Sequence, residues 1–160
     1  MTNPHPIPLV VGALHTITTA AAAAAGTDDD PIRVDLGDPG EFQEWRAIGI
    51  GLSAQQAGPV DTRQIRTGLG YDHHDLDIAC VALAWSGDDT DRIGWMNRAF
   101  DLVDLVREEL ESPANAGLGL DRVVQSARIA TSAFSWVQDR QSKKAEVGFV
   151  VRVSAYRPRR

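Results

Sequence analysis

The fold of this chain is decided by residues 88–112, DDTDRIGWMNRAFDLVDLVREELES. Apolar residues recur in this stretch at steps of three or four, the spacing that lines up side chains along one face of an α-helix. The predicted buried stripe consists of Ile93, Met96, Phe100, Val103, Val106 and Leu110. Asp89, Thr90 and Asp91 supply candidate N-caps, and Ser112-Pro113 ends the pattern. The stretch therefore predicts one amphipathic helix that packs against a single partner layer.

The segments on both sides of this helix alternate apolar and polar residues, which is typical of half-buried β-strands. The predicted strands are 32–36, 45–52, 65–72, 74–86, 123–137 and 145–156, and an N-terminal helix is predicted over 9–25. Strands joined by short turns pair antiparallel. We therefore expect an α+β fold in which a mostly antiparallel sheet is packed by one central amphipathic helix and by the N-terminal helix.

Length and composition indicate one folded domain. The 160 residues are 43% hydrophobic and 24% charged, close to the average of soluble globular proteins. We expect an extended, proline-rich lead-in at 1–8, a single α+β domain over 9–156 and a basic tail at 157–160. The one cysteine, Cys80, lies in an apolar run, so a disulfide within one chain is excluded and a buried thiol is predicted.

The net charge of −6 disfavours a protein that binds nucleic acid over a broad surface, because such binding depends on clustered lysine and arginine. The apolar stretch 9–25 lacks a basic segment before it and contains His15 and several threonines. Neither a signal peptide nor a membrane span is therefore predicted. We expect the chain to be found in a cytoplasm and to have no membrane partner.

Three large aromatic residues are candidates for a contact between subunits. The strand at 74–86 becomes apolar on both faces toward Trp85, as expected of a central strand or of one covered by a second copy. Phe134 and Trp136 share one face of the strand at 123–137, whereas Ile129 and Ala133 share the other. If the latter face meets the helix, the two aromatics are left for solvent or for a neighbour. Trp85, Phe134 and Trp136 are thus the predicted subunit interface.

The longest stretch without an apolar pattern is 53–64, SAQQAGPVDTRQ. Polar loops of about a dozen residues are uncommon in compact domains unless they contact something. We interpret it as a partner-contact loop, with Gln55, Gln56 and Arg63 as its contact residues. A surface loop without a partner is an equally good reading of the same residues.

One cluster, YDHHDLD at 71–77, gathers two histidines and three aspartates, which are residue types that bind divalent metals or act in acid–base catalysis. However, adjacent histidines in a strand point to opposite faces, and Asp and His are common at hairpin turns. The sequence contains no GxSxG, HExxH, CxxC, Walker-type or GxGxxG motif. We therefore predict no catalytic residue, no metal site and no cofactor, and expect that the protein is not an enzyme.

Taken together, the order of elements resembles that of the tail terminator proteins of long-tailed bacteriophages. The resemblance covers nearly the whole chain: the N-terminal helix at 9–25, a strand pair with the extended loop 53–64, a long strand ending in Trp85, the central helix at 91–111 and a closing hairpin to Tyr156. It is a resemblance of layout rather than of motif, so no functional residue is transferred from that family.

The resemblance implies a homohexameric ring that caps the tail tube, ends its polymerisation and provides the interface for head–tail joining. The implied partners are further copies of the chain, the tail tube protein and the head-completion or connector protein, with genomic DNA passing through the lumen without specific binding. The implied location is the head-proximal end of the tail in the virion, assembled in the host cytoplasm. Two alternatives remain open: another neck, connector or minor tail ring protein, and a small metal-binding or catalytic α+β domain.

Overall fold

The computed structural model describes residues 5–37, 39, 45–51, 60–66, 71–85, 90–138 and 143–158, with the backbone alone at 60–66, 71, 137, 138, 143 and 158. The helices are α1 (Pro6–Ala25) and α2 (Arg92–Glu111), and short 3₁₀ turns follow at Pro113–Gly119. The strands are β1 (Ile32–Leu36), β2 (Arg46–Ile50), β3 (Val60–Arg66), β4 (Tyr71–Ala84), β5 (Val124–Gln138) and β6 (Lys143–Pro158).

The six strands form one sheet in the order β1-β2-β4-β6-β5, and β3 pairs with the same edge of β4 as β2 does. Every pair is antiparallel except β1 with β2, which is parallel. Both helices pack on one face of this sheet, over a core of Leu, Ile, Val and Phe side chains. The predicted α+β fold with a mostly antiparallel sheet is therefore confirmed.

β4 is the central strand of the sheet, as its two apolar faces predict. It pairs with β6 along its full length, from Tyr71 to Ala84. Its other edge pairs with β2 at 80–84 and with β3 at 72–78. β2 and β3 therefore follow one another along the same edge of β4.

This arrangement corrects the predicted loop at 53–64. Residues 60–64 belong to β3, and Arg63 pairs with Asp75 of β4 rather than lying in a loop. The prediction was wrong there because β3 has no apolar alternation of its own, and its backbone hydrogen bonds to β4 define the strand. Gln55 and Gln56 lie outside the described residues, so their predicted contact role stays a prediction.

α1 begins at Pro6, earlier than the predicted start at Leu9, so residues 6–8 belong to the helix and not to an extended lead-in. Proline is tolerated in the first turn because the N–H groups there have no partner within the helix. His5 is the N-cap, and its Nδ1 accepts a hydrogen bond from the Ile7 N–H. The buried side of α1 carries Val10, Leu14 and Thr18.

α2 has the predicted length and buries the C-terminal half of the predicted stripe, Val103, Val106 and Leu110, but a different set of residues in its N-terminal half. Its N-cap is Asp91, whose side chain accepts a hydrogen bond from the Gly94 N–H. The buried residues are Trp95, Ala99, Leu102, Val103, Val106 and Leu110. Of the predicted stripe, Ile93 and Phe100 are instead exposed. The buried face is rotated toward Trp95 and Leu102 because α2 packs against α1 as well as the sheet.

The face of the sheet away from the helices has a small apolar cluster of its own, formed by Ala47, Val81 and Leu83. Pro39, which follows β1, is buried over this face beside Gly49. A Cβ atom added at Gly49 would lie 2.5 Å from the Gly37 carbonyl oxygen and 2.9 Å from Pro39 Cδ. Glycine at this position therefore permits the connection after β1 to cross the sheet closely.

Candidate subunit interface

A β-bulge decides which way the aromatic residues of β5 point. The register between β5 and β6 shifts between Ile129 and Thr131, so one extra residue is inserted in β5. Such an insertion reverses the alternation of side chains beyond it. Below the bulge Ile129 pairs with Val151, and above it Phe134 pairs with Val147. Both partners belong to the core, so Ile129 and Phe134 point to the same, helix-covered face.

The bulge contradicts the prediction that Phe134 and Trp136 lie on the face of β5 away from the helix. An uninterrupted strand would place them opposite Ile129, on the face away from the helix. The bulge places them on the helix side, near the edge of the sheet, where Phe134 packs partly against the core. Trp136 remains 44% exposed.

Three aromatic side chains form a partly exposed surface between α2 and β5, which we call the aromatic flank: Phe100, Phe134 and Trp136. The Phe100 and Phe134 rings stack with centroids 6.1 Å apart, and Phe134 meets Trp136 edge-on at 5.1 Å. Ile93 lies seven residues before Phe100, on the same side of α2, and is 68% exposed. Contiguous exposed apolar surfaces of this kind mark interaction sites.

A second exposed aromatic surface, the tryptophan pair, lies on the opposite face of the sheet. The rings of Trp45 and Trp85 are 5.3 Å apart, and the Trp85 N–H donates a hydrogen bond of 2.8 Å to the Trp45 carbonyl. Both residues continue the alternation that points Ala47 and Leu83 away from the helices. Trp45 is exposed, whereas Trp85 is partly buried.

Strand register places the two aromatic surfaces at the same end of the sheet. Trp136 pairs with Ala145, Ala145 with Ala84, and Ala84 with Arg46. Trp45 and Trp85 are the chain neighbours of Arg46 and Ala84. The molecule therefore exposes two aromatic surfaces at one end, on opposite faces and three strands apart.

The histidine and aspartate cluster at 71–77 is divided between the two faces of the sheet. Asp77 accepts two hydrogen bonds of 2.7 Å from the Arg152 guanidinium, which lowers the pKa of its carboxyl. Asp75 accepts a hydrogen bond of 2.9 Å from Ser154 Oγ. His73 stacks on Tyr156. Within the described part of the chain, no group of three or more His, Cys, Asp or Glu side chains could hold a metal ion.

His74 points the other way, into the helix-covered side, and is buried. Its Nε2 atom has no hydrogen-bond partner among the described residues, and its ring meets the edge of the His5 ring at 5.7 Å. Burial lowers the pKa of His74, and the nearby His5, Arg157 and His73 lower it further, while Asp72 opposes them. The folded protein therefore favours the neutral imidazole.

We expect the free energy of unfolding to fall as the pH is lowered through 6.5, the ordinary pKa of histidine. The unfolded chain takes up a proton at His74 there, while the folded chain resists it until its own, lower pKa is reached. The loss is at most about 1.4 kcal/mol for each pH unit between the two pKa values. Urea unfolding at pH 7.5, 6.5 and 5.5 measures it.

His74→Gln should flatten this pH dependence, whereas His15→Gln on α1 should retain it. Equal slopes in wild type and His74→Gln would contradict the assignment to His74. The Asp77 carboxyl acts in a different window, because its lowered pKa contributes stability that is lost only as the pH falls below about 3.8.

Two further sequence predictions bear on the site. Cys80 is buried, and burial raises the pKa of its thiol to about 12. α1, at Pro6–Ala25, is long and apolar enough to cross a membrane by length and composition alone. Buried core helices and N-terminal signal segments pass the same test, so this property is weak evidence for a membrane partner.

Comparison with known proteins identifies a similar fold but no family. No family model matches the sequence, and no curated protein matches it either. Among solved structures, a chain of the virion of the native gene transfer agent (GTA) particle has a similar fold, with a TM-score of 0.60 and 13% sequence identity. The match covers 92% of this chain and 95% of that chain. At this identity the likeness demonstrates a shared fold.

Proposed function

We propose that this protein is a structural component of a phage-like virion and that it forms a ring, most simply a hexamer, that caps the tail tube. One fact supports the structural role: the fold is shared almost end to end with a chain of the GTA virion. In this role the protein ends tube polymerisation and presents a surface to the head-completion or connector protein. It uses no catalysis and no cofactor.

The two exposed aromatic surfaces carry most of the proposal. A subunit of a capping ring contacts both a neighbouring copy and the tube, so it needs more than one exposed surface. The aromatic flank and the tryptophan pair lie on opposite faces of the sheet and do not overlap. The aromatic flank can therefore contact a neighbouring copy while the tryptophan pair contacts a different partner. The three predicted interface residues all belong to these surfaces.

Charge is compatible with a ring around DNA. The net charge of −6 disfavours binding of phosphate groups over a broad surface. On the face away from the helices, Arg152 is held in an ion pair with Asp77. DNA that passes through the ring would therefore not be retained.

Tube assembly in vitro tests this function. Purified protein is added to the polymerising tube protein of the particle that carries it, and tube lengths are measured by negative-stain electron microscopy. We expect elongation to stop, with a ring at one tube end. Unchanged elongation, together with a stable ring that binds the connector, would instead favour the alternative of a neck or connector protein.

Trp136→Ala should weaken capping on the order of 30-fold, as for an interface residue whose loss costs about 2 kcal/mol. The measured quantity is the protein concentration that halves mean tube length. Glu108→Gln, at an exposed position of α2, is the matched control and should cap like wild type. Equal capping by the two variants would remove Trp136 from the interface.

A further inference from the structure

The outer edge of β5 is unusually open. β5 spans 15 residues, and within the described part of the chain no strand pairs with its outer edge. Proteins usually protect such edges with short strands, prolines or several charged side chains. β5 contains no proline, and Arg128 is its only charged residue. A long edge of this kind is a template for pairing with another strand.

The opposite edge of the same sheet ends in β1, which runs antiparallel to β5. This direction follows from the pairings, because β1 is parallel to β2 and each later step, β2 to β4, β4 to β6 and β6 to β5, reverses it. If a second copy lies beside the first in the same orientation, β5 of one copy meets β1 of the next as an antiparallel neighbour. The strand directions at the two edges are therefore compatible with antiparallel pairing between copies.

Side chains at the two edges also match. Residues that pair in succession from β5 through β6, β4 and β2 to β1 form a row across the sheet. Three such rows connect the two edges: Trp136 to Ile32, Phe134 to Val34, and Ser132 to Leu36. All these residues point to the helix-covered face. Continuing the sheet into a second copy would place Phe134 and Trp136 against the apolar, helix-side residues of β1, and it would cover Leu36, which is 58% exposed.

We propose that copies of this chain join head-to-tail by sheet extension, with β5 of one copy paired antiparallel to β1 of the next. This inference rests on the proposed ring, for which it names the contact. The aromatic flank then packs on the neighbour's β1, and the tryptophan pair stays available for a different partner, such as the tube.

Disulfide trapping tests the contact directly. Two variants, Leu36→Cys and a mass-tagged Ser132→Cys, are mixed under mild oxidation, and products are resolved on a non-reducing gel. Both positions are exposed, so the substitutions do not disturb the core. The native Cys80 thiol is buried and does not compete. The matched control replaces Ser132→Cys with Ala133→Cys, whose side chain points to the other face.

We expect the mixed Leu36–Ser132 disulfide to form at least about tenfold faster than the product with Ala133→Cys. Paired residues on one face place their Cβ atoms about 5 Å apart, within reach of a disulfide, whereas residues on opposite faces do not. Equal rates, or no mixed product, would overturn the contact. Predominant Ser132→Cys homodimers would also overturn it, because they indicate a two-fold pairing of β5 with β5.

The tube assay separates this inference from the proposed function. Wild-type protein that caps tubes while the mixed disulfide fails to form would retain the function and eliminate the β5–β1 contact. Conversely, chains that cross-link as expected but leave tube growth unchanged would retain the contact and eliminate the capping role.

Discussion

Leu102→Ala is expected to lower the free energy of unfolding by about 2–5 kcal/mol, the usual range for truncating a buried leucine. Leu102 is 1% exposed and belongs to the main core, where α2 meets α1 and the sheet. Removing its side chain leaves a cavity that surrounding residues of two helices and a sheet cannot fill. Urea unfolding followed by circular dichroism measures the change as a shift in midpoint.

Ile93→Ala on the same helix is the control for this prediction. Ile93 is exposed, so the substitution should change stability by less than about 0.5 kcal/mol. The helical periodicity of the sequence predicts the reverse order, because it includes Ile93 in the buried stripe and omits Leu102. If Ile93→Ala were the more damaging variant, the observed rotation of α2 would be wrong.

Gly49→Ala is expected to cost about 1–3 kcal/mol, the range for overpacking a close contact. The added Cβ would lie 2.5 Å from the Gly37 carbonyl oxygen and 3.0 Å from Val81 Cγ1. A backbone oxygen cannot turn aside as a side chain does, so the connection after β1 must move. The expected result is a lower urea midpoint and weaker protection of the Gly37 N–H, which donates to the Ile50 carbonyl, from hydrogen exchange.

Gly12→Ala is the same substitution at another glycine, and it is expected to raise the free energy of unfolding instead of lowering it. Gly12 lies inside α1, and nothing lies within 4 Å of a Cβ atom added there. Alanine in a helix interior is favoured over glycine by about 0.5–1 kcal/mol, so this variant should be more stable than wild type. Destabilisation by both substitutions would show that contact distances do not explain the effect at Gly49.

Several features of the fold could be predicted from local sequence because local backbone geometry produces them. The 3.6-residue period and its acidic N-cap define α2 almost to the residue, and the two-residue period defines β4 and β6. β4 is apolar on both faces near Trp85, which is expected of a central strand or of one covered by a second copy, and the sheet order shows that it is central. Each of these signals arises within one segment and needs no knowledge of its neighbours.

The candidate interface was only partly predictable, because it depends on the position of one inserted residue. The aromatic residues Phe134 and Trp136 were selected from the sequence, but on the assumption of an uninterrupted strand. The bulge after Ile129 is defined by the register against β6, which is a property of two strands together. A single extra residue moves every later side chain of β5 to the opposite face of the sheet. The alternation within β5 alone therefore could not show which face Phe134 and Trp136 occupy.

The sequence by itself determined the fold class and the limits of α2, because periodicity and capping act within a few residues. Tertiary structure alone decided which side of α2 is buried, that residues 60–64 form a strand and that the β5 aromatics face the helices. The physical reason is that each of these depends on a second element. α2 packs against both α1 and the sheet, β3 forms its hydrogen bonds with β4, and the register of β5 is determined by its pairing with β6.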